Sequence, residues 1–389
     1  VSASARPAKP VERRPVTLAQ PPREAMAEAV GRALERRRAL IESAQTQAFR
    51  ALNAEADGVA GVFVDVYGPG ATLVVHQGVA TAEFETSKGV REAARGVLDA
   101  LAALGVKGVY YKPFARDRSR LGGALPEACK RPVPVAGEAL PEAVMVREVA
   151  WSLEVRLFDG LSTGLFLDQR DNRMALGVAL ARLAKARGAK GQEPPKVLNT
   201  FAYTCAFSVA AARGGSVVTS VDVSAKYLDW GRRNFAHNSL DESGHRFARM
   251  GTMEFLAYAR RKGLSYDLIV LDPPSFASGS KRGKAGAAKD QWSSERDYPG
   301  LVHAAAMVLA PGGSIFASTN TLALCRRGAL EKVIVAGLKR GKRRAVWLSL
   351  PATPVDVAPA GGRGVGARLA ARWFTVAGGP GGTVQEGAS

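Results

Sequence analysis

The sequence predicts an α/β protein: an open, mostly parallel seven-stranded sheet with helices on both faces, preceded by a smaller α+β domain. Three observations carry this expectation. In the second half of the chain, short apolar runs alternate with helical stretches, the rhythm of βα units. In the first half the rhythm differs, with two alternating runs around a Gly-Pro-Gly turn. The chain has 389 residues, 47% of them hydrophobic, enough to bury two cores without metals or disulfides.

Residues 1–23 carry Pro7, Pro10 and Pro15 among charges and small residues and read as a disordered basic arm with no secretion signal. The small α+β domain is expected over residues 24–150. A helical pattern runs from Glu24 to Gln47, with Arg36, Arg37 and Arg38 on its exposed side. Phe63–Tyr67 and Thr72–His76 form the hairpin, and a helix over Ser87–Leu104 and a strand at Val109–Lys112 complete the domain. Glu148–Phe158 alternates as a half-buried strand does. Residues 151–377 hold the larger domain. Its strands are expected at Val197-Leu198, Val217–Val221, Phe247-Ala248, Leu268–Leu271, Ser314–Ala317 and Val346–Leu350, with Arg368–Val376 closing the sheet. Helices fall between them at Ser224–His237 and Ser294–Leu309, and residues 378–389 read as a disordered tail.

The formal net charge of +19 favours a polyanionic partner, and counterion release makes such binding depend steeply on salt. No apolar run reaches the length of a membrane span, so a membrane partner is not expected. Cys129, Cys205 and Cys325 form neither a disulfide framework nor a zinc spacing, which points to a reducing cytoplasm. His76, His237, His245 and His303 likewise lack metal spacing, and no metal is expected.

An open α/β sheet binds its ligand beyond the carboxyl ends of its strands. The loop after the first strand, Asn199–Ser208, lacks the glycine pattern of a pyrophosphate site, which disfavours a nicotinamide cofactor. The second strand ends in Asp222, a carboxylate placed to accept ribose hydroxyls; its alternative role is a helix cap, which Ser224 can supply instead. The fourth strand ends in Asp272-Pro273-Pro274-Ser275-Phe276. Two prolines hold that turn rigid with its carbonyls available to an exocyclic amine, and an aromatic ring follows on which a flipped base can stack. The cationic stretch Ser278–Lys284, with Lys281, Arg282 and Lys284, comes next and suits RNA backbone contacts. Two further basic clusters are Arg116, Arg118 and Arg120 near Phe114, and Lys339–Arg344.

These loops resemble motifs I, II and IV of class I methyltransferases. More narrowly, Thr163-Gly164-Leu165-Phe166-Leu167-Asp168-Gln169-Arg170-Asp171-Asn172-Arg173, Leu198–Thr204 and Asp267–Pro274 are similar to segments of the bacterial 23S ribosomal RNA (cytosine-C5)-methyltransferases and their guanine-modifying relatives. Phe49–Gly58 with Val64–Gly68 resembles that family's central domain, and the likeness runs from about residue 25 to about residue 377. The resemblance implies a Rossmann-like fold, S-adenosyl-L-methionine as cofactor and ribosomal RNA as substrate and partner, with monomer and homodimer both open. It places Gln169, Arg170, Asn199 and Phe201 around the methionine end of the cofactor, with Tyr203 in the same site, and gives the ribose to Asp222. Asp272 and Pro273 line the transfer centre, beside Pro274 and Phe276. Arg170 would pair with the cofactor carboxylate in a bidentate fork.

The sequence departs from that family in three places. Residues 1–23 stand where the family usually carries an RNA-binding PUA domain. The loop after the fifth strand, Ala317-Ser318-Thr319-Asn320-Thr321, has no thiol, whereas forming 5-methylcytosine needs a thiolate to attack C6. Cys325 is expected inside the next helix, and Cys205 stands where relatives have a glycine. This favours a guanine nitrogen as the methylated atom, with cytosine C5 second. Thirdly, Arg249-Met250-Gly251-Thr252 lacks the acidic residue that holds the adenine amine in relatives. The alternatives are a noncatalytic RNA-binding protein on the same scaffold and a methyltransferase for a small molecule.

Overall fold

The computed structural model describes residues 22–114, 126–277, 292–358 and 369–378. The expectations for the N-terminal arm, the tail, Arg116, Arg118, Arg120, Lys281, Arg282 and Lys284 therefore lie outside the described residues.

The helical pattern after the arm resolves into α1 (Pro22–Arg36) and the short α2 (Arg38–Glu42). The break falls at Arg37, which is buried rather than exposed. Its guanidinium pairs with Asp57 at 2.7 Å and donates to the carbonyls of Ala33 and Arg50, so local amphipathicity yields to a charge that needs partners. The chain then enters β1 (Ala48–Asn53), β2 (Val62–Tyr67) and β3 (Gly70–His76), crosses α3 (Ser87–Leu101), and returns through β4 (Gly108–Phe114) and β5 (Ala136–Gly137). The five strands lie in the order 1-2-3-4-5, with β3 and β4 parallel. Helices α1 and α3 pack on one face around Met26, Val30, Leu52, Leu73 and Val97.

A second hairpin joins β6 (Val144–Glu148) to β7 (Trp151–Val155). It leads to α4 (Arg170–Gly188), β8 (Lys196–Thr200), α5 (Ala206–Arg213), β9 (Val217–Asp222), α6 (Ala225–His237), β10 (Arg246–Arg249), α7 (Thr252–Arg261) and β11 (Tyr266–Leu271). A short ladder, β12 (Phe276–Ala277) with β13 (Trp292–Ser293), precedes α8 (Ser294–Ala306), β14 (Leu309–Thr319), α9 (Ala329–Lys339), β15 (Arg344–Leu348) and β16 (Ala370–Ala377).

The large sheet has the expected seven strands, in the order 10-9-8-11-14-16-15. The first five are parallel; β16 is antiparallel to both neighbours and inserts between β14 and β15, so β15 forms the edge. The central strands are apolar throughout because both faces are covered. Leu268, Val270 and Phe316 face α4, α5 and α6, while Ile269, Leu271 and Ile315 face α7, α8 and α9. No helix among the described residues is long and apolar enough to cross a membrane.

Candidate active site

The carboxyl ends of β8, β9, β11 and β14 meet at one edge, and the turn that opens α4 folds over them. That turn, the end of β8 with the loop after it, and Asp272 at the end of β11 surround a cavity of about 60 Å³. Five residues singled out in the sequence line it: Gln169, Asn199, Phe201, Tyr203 and Asp272. Phe166 and Arg173, not assigned a role from sequence, line it too.

Asp272 leaves β11 half-buried. The Ser318 hydroxyl, at the carboxyl end of β14, donates to its Oδ1 at 2.7 Å, and the Gln169 carboxamide donates to Oδ2 at 3.1 Å and to Ser318 at 3.0 Å. Gln169 is itself held by Asn172, whose amide donates to it at 2.8 Å. Burial pushes the Asp272 carboxyl up to about 6, and the neighbouring Asp168 adds to this, while the Ser318 and Gln169 hydrogen bonds oppose it. A carboxyl poised there is ionised at neutral pH yet still able to take a proton. Ser318→Ala removes the strongest bond to the charged form. The acid limb of the rate–pH profile should move to higher pH; an unmoved limb would show that Ser318 does not act through Asp272.

The Asp-Pro-Pro turn is rigid, but not all its carbonyls are available. Pro274 accepts from Trp292 Nε1 at 3.0 Å and from Ser294 Oγ at 2.9 Å, so the expectation of open carbonyls fails there. Leu271 accepts from the buried Tyr298 hydroxyl at 3.4 Å, which also donates to the Ser318 carbonyl at 2.8 Å. Pro273 is buried, Pro274 is exposed, and Phe276 is placed by its backbone alone, opposite Ser293.

The loop from Asn199 is unusual in its backbone. Phe201, Tyr203 and Cys205 all adopt positive φ, at 53°, 49° and 64°, a region that costs a non-glycine residue about 1–3 kcal/mol. Asp222 holds this loop: its carboxylate accepts from the Tyr203 amide and the Ser224 amide, each at 2.9 Å. A carboxylate has about four acceptor sites, so acceptor capacity is left for a ribose diol. Ser224 does cap α6, accepting from the Tyr227 amide. Asn199 donates to Ser208 at 2.8 Å, and the Tyr203 ring lies 5.2 Å from Phe166 and 4.5 Å from Tyr227.

Gly164 sits at φ +98°, and a Cβ there would stand 2.4 Å from the buried Trp230 ring. Gly164→Ala should therefore cost about 3 kcal/mol or more, read as a lowered melting temperature; an unchanged melting curve would contradict this packing.

Arg170 is not brought to the cavity. Its fork is filled by Asp356, at 2.6 and 3.1 Å, in a fully buried pair. Asp356 also accepts from the Arg50 amide at 2.9 Å, and its carbonyl accepts from Arg37 at 3.2 Å. Arg173 takes Glu148 in a second buried fork, at 2.7 and 2.6 Å. Neither thiol of the larger domain lines the cavity. Cys205 is fully buried, with its sulfur where a Cβ on Gly231 would fall, and burial pushes its thiol up to about 12. Cys325 lies in the turn before α9, not inside that helix, and donates to the Thr319 carbonyl at 3.5 Å. No group of three or more metal-ligating side chains occurs among the described residues.

A mostly parallel sheet with a carboxylate closing its second strand, and a rigid acidic turn beside a narrow cavity closing its fourth, has the layout of a class I transferase and suits a nucleoside cofactor. Residues 128–363 match the model of the S-adenosylmethionine-dependent methyltransferases, and the chain belongs to that family. It is similar to YwbD of Bacillus subtilis (strain 168), provisionally a ribosomal RNA large subunit methyltransferase, with 35% identity over 75% of this chain and 65% of that protein. It is also similar to the ribosomal RNA large subunit methyltransferase I of Pseudoalteromonas translucida, with 33% identity over 80% of this chain and 70% of that one. Among solved structures, SMU.776 complexed with SAH superposes with a TM-score of 0.73 and 28% identity, covering 93% of this chain and 83% of that one. The cofactor is S-adenosylmethionine. The residues fit it: the cavity is too small for the whole molecule and suits one end, and Asp222 at the neighbouring strand end suits its ribose.

Proposed function

We propose that the chain methylates a base of large-subunit ribosomal RNA, at a guanine nitrogen in preference to cytosine C5. The observation that carries the reading is the Asp272 carboxyl, half-buried at the edge of the cavity and held by Ser318 and Gln169, with no cysteine among the residues that line that cavity. Bound S-adenosylmethionine supplies an electrophilic methyl group. Gln169, Asn199, Phe201 and Tyr203 line its methionine end and Asp222 takes the ribose; Arg170, already paired, acts by fixing the turn that carries Gln169. Asp272 accepts the proton that the base nitrogen releases, and Pro273 and Pro274 keep it aimed.

The net charge of +19 and the names of the relatives support RNA as substrate. Residues 24–150 form the unit that grips RNA beside the catalytic unit of residues 151–377, and the Lys281, Arg282 and Lys284 segment follows the reaction centre in sequence. The cytoplasm, where ribosomal RNA is found, is the site of action. Mass spectrometry of ribosomal RNA nucleosides from a strain lacking the gene tests the reading. Loss of one methylated guanosine is expected. Loss of 5-methylcytidine would overturn the preference and require Cys325 or Cys205 as nucleophile.

A further inference from the structure

The edge of the large sheet farthest from β10 carries charge and aromatic surface that the proposed reaction does not use. Lys339, Arg340, Lys342 and Arg344, at the junction of α9 and β15, are exposed, and none forms an ion pair among the described residues. The carboxylate on that helix, Glu331, is taken by Arg372, and Arg343 turns inward to the Ala306 carbonyl. A helix C-terminus attracts cations, which accounts for Lys339, in the last turn, but not for charges beyond the helix. Lys342 stands at φ 55°, where a glycine or asparagine is the usual occupant.

The strand continues the surface. As an edge strand β15 has one side without a partner among the described residues, and Val346, Trp347 and Leu348 are 41%, 43% and 38% exposed. Trp347 meets Phe374 edge-on at 5.4 Å, with much of its ring outward. An uncovered edge with apolar side chains calls for an occupant. A second copy of this chain would bring the same unpaired positive charge with it. An RNA strand neutralises that charge and offers bases to an exposed indole.

We propose that the α9–β15 junction is a second RNA-binding surface, with Lys339, Arg340, Lys342 and Arg344 on phosphates and Trp347 stacked on a base. Its basic cluster is remote from the reaction. Arg344 is level with Ala377 and Thr319 with Ala370, seven residues apart on β16, about 23 Å at the rise of a strand. The surface therefore holds RNA flanking the target and contributes affinity, not chemistry. This rests on RNA being the substrate.

The test measures binding of in-vitro-transcribed large-subunit ribosomal RNA against salt concentration. With Lys339→Gln, Arg340→Gln, Lys342→Gln and Arg344→Gln combined, the slope of log K on log salt should fall by about 3. The KM for RNA should rise while kcat and S-adenosylmethionine affinity stay unchanged. Trp347→Ala should weaken RNA binding about tenfold. A wild-type slope in the fourfold variant overturns the surface and leaves the RNA substrate standing. So does a dimer in sedimentation that Trp347→Ala dissociates with the slope intact. If the wild-type protein binds RNA without any dependence on salt, the substrate reading falls with it.

Discussion

Asp272→Asn is expected to cut methyl transfer by about 10² to 10⁴-fold, the usual contribution of a positioned proton acceptor. The amide keeps the shape of the turn, so S-adenosylmethionine and RNA affinities should change little. The same substitution should stabilise the fold at alkaline pH. Burial raises the Asp272 carboxyl to about 6, so between the ordinary carboxylate range and that value the folded state binds a proton that the unfolded chain has released. Stability is fully present below that range and is lost as the pH rises through about 6. At pH 8 the variant is relieved of this cost, on the order of 3 kcal/mol, and should melt higher than wild type; at pH 4 the two should converge. Retained turnover would remove Asp272 from the chemistry. A melting difference independent of pH would show that its charge is not the source of the cost.

Asp356→Ala should be the most damaging single change outside the cavity. Asp356 is fully buried and satisfies Arg170, the Arg50 amide and, through its carbonyl, Arg37. Removing one member of a buried pair typically costs about 3–5 kcal/mol because the other charge is stranded. A drop in melting temperature of about 10 °C is expected. Arg170→Met alone should be similarly harmful, and the two together should cost clearly less than their sum. Strict additivity would mean that the pair does not act as a unit. Because Arg170 opens the helix that follows Gln169, the surviving folded fraction should also show weakened cofactor binding, read by calorimetry.

The seven-stranded sheet was legible because βα alternation is a local signal: Val217–Val221 and Leu268–Leu271 are apolar runs bounded by turns. The strand-end carboxylates Asp222 and Asp272 followed from the rule for where such sheets bind ligands, and both stand at that edge. What was not legible depends on distance in sequence. β1 lies just past the helical pattern that ends at Gln47 and was assigned to no element; its strand character comes from pairing with β2. The fate of Arg170 turned on Asp356, 186 residues later, and nothing local announces that pairing. Ser318 was read only as part of a loop lacking a thiol, whereas its hydroxyl holds the central carboxyl. Arg37 broke a helical pattern that periodicity alone would have continued, because a buried guanidinium outweighs a turn of helix.

The three left-handed residues of the Asn199–Cys205 loop bear on how a ligand arrives. Glycine would relax each of those torsions, yet two rings and a sulfur occupy them, all within packing contacts. The ordering entropy of that wall is thus spent when the chain folds rather than when a guest enters. Entry then calls for no closure of the Asn199–Cys205 wall, and any preference for the methyl-bearing over the spent form of the cofactor must come from direct contact at the sulfur end.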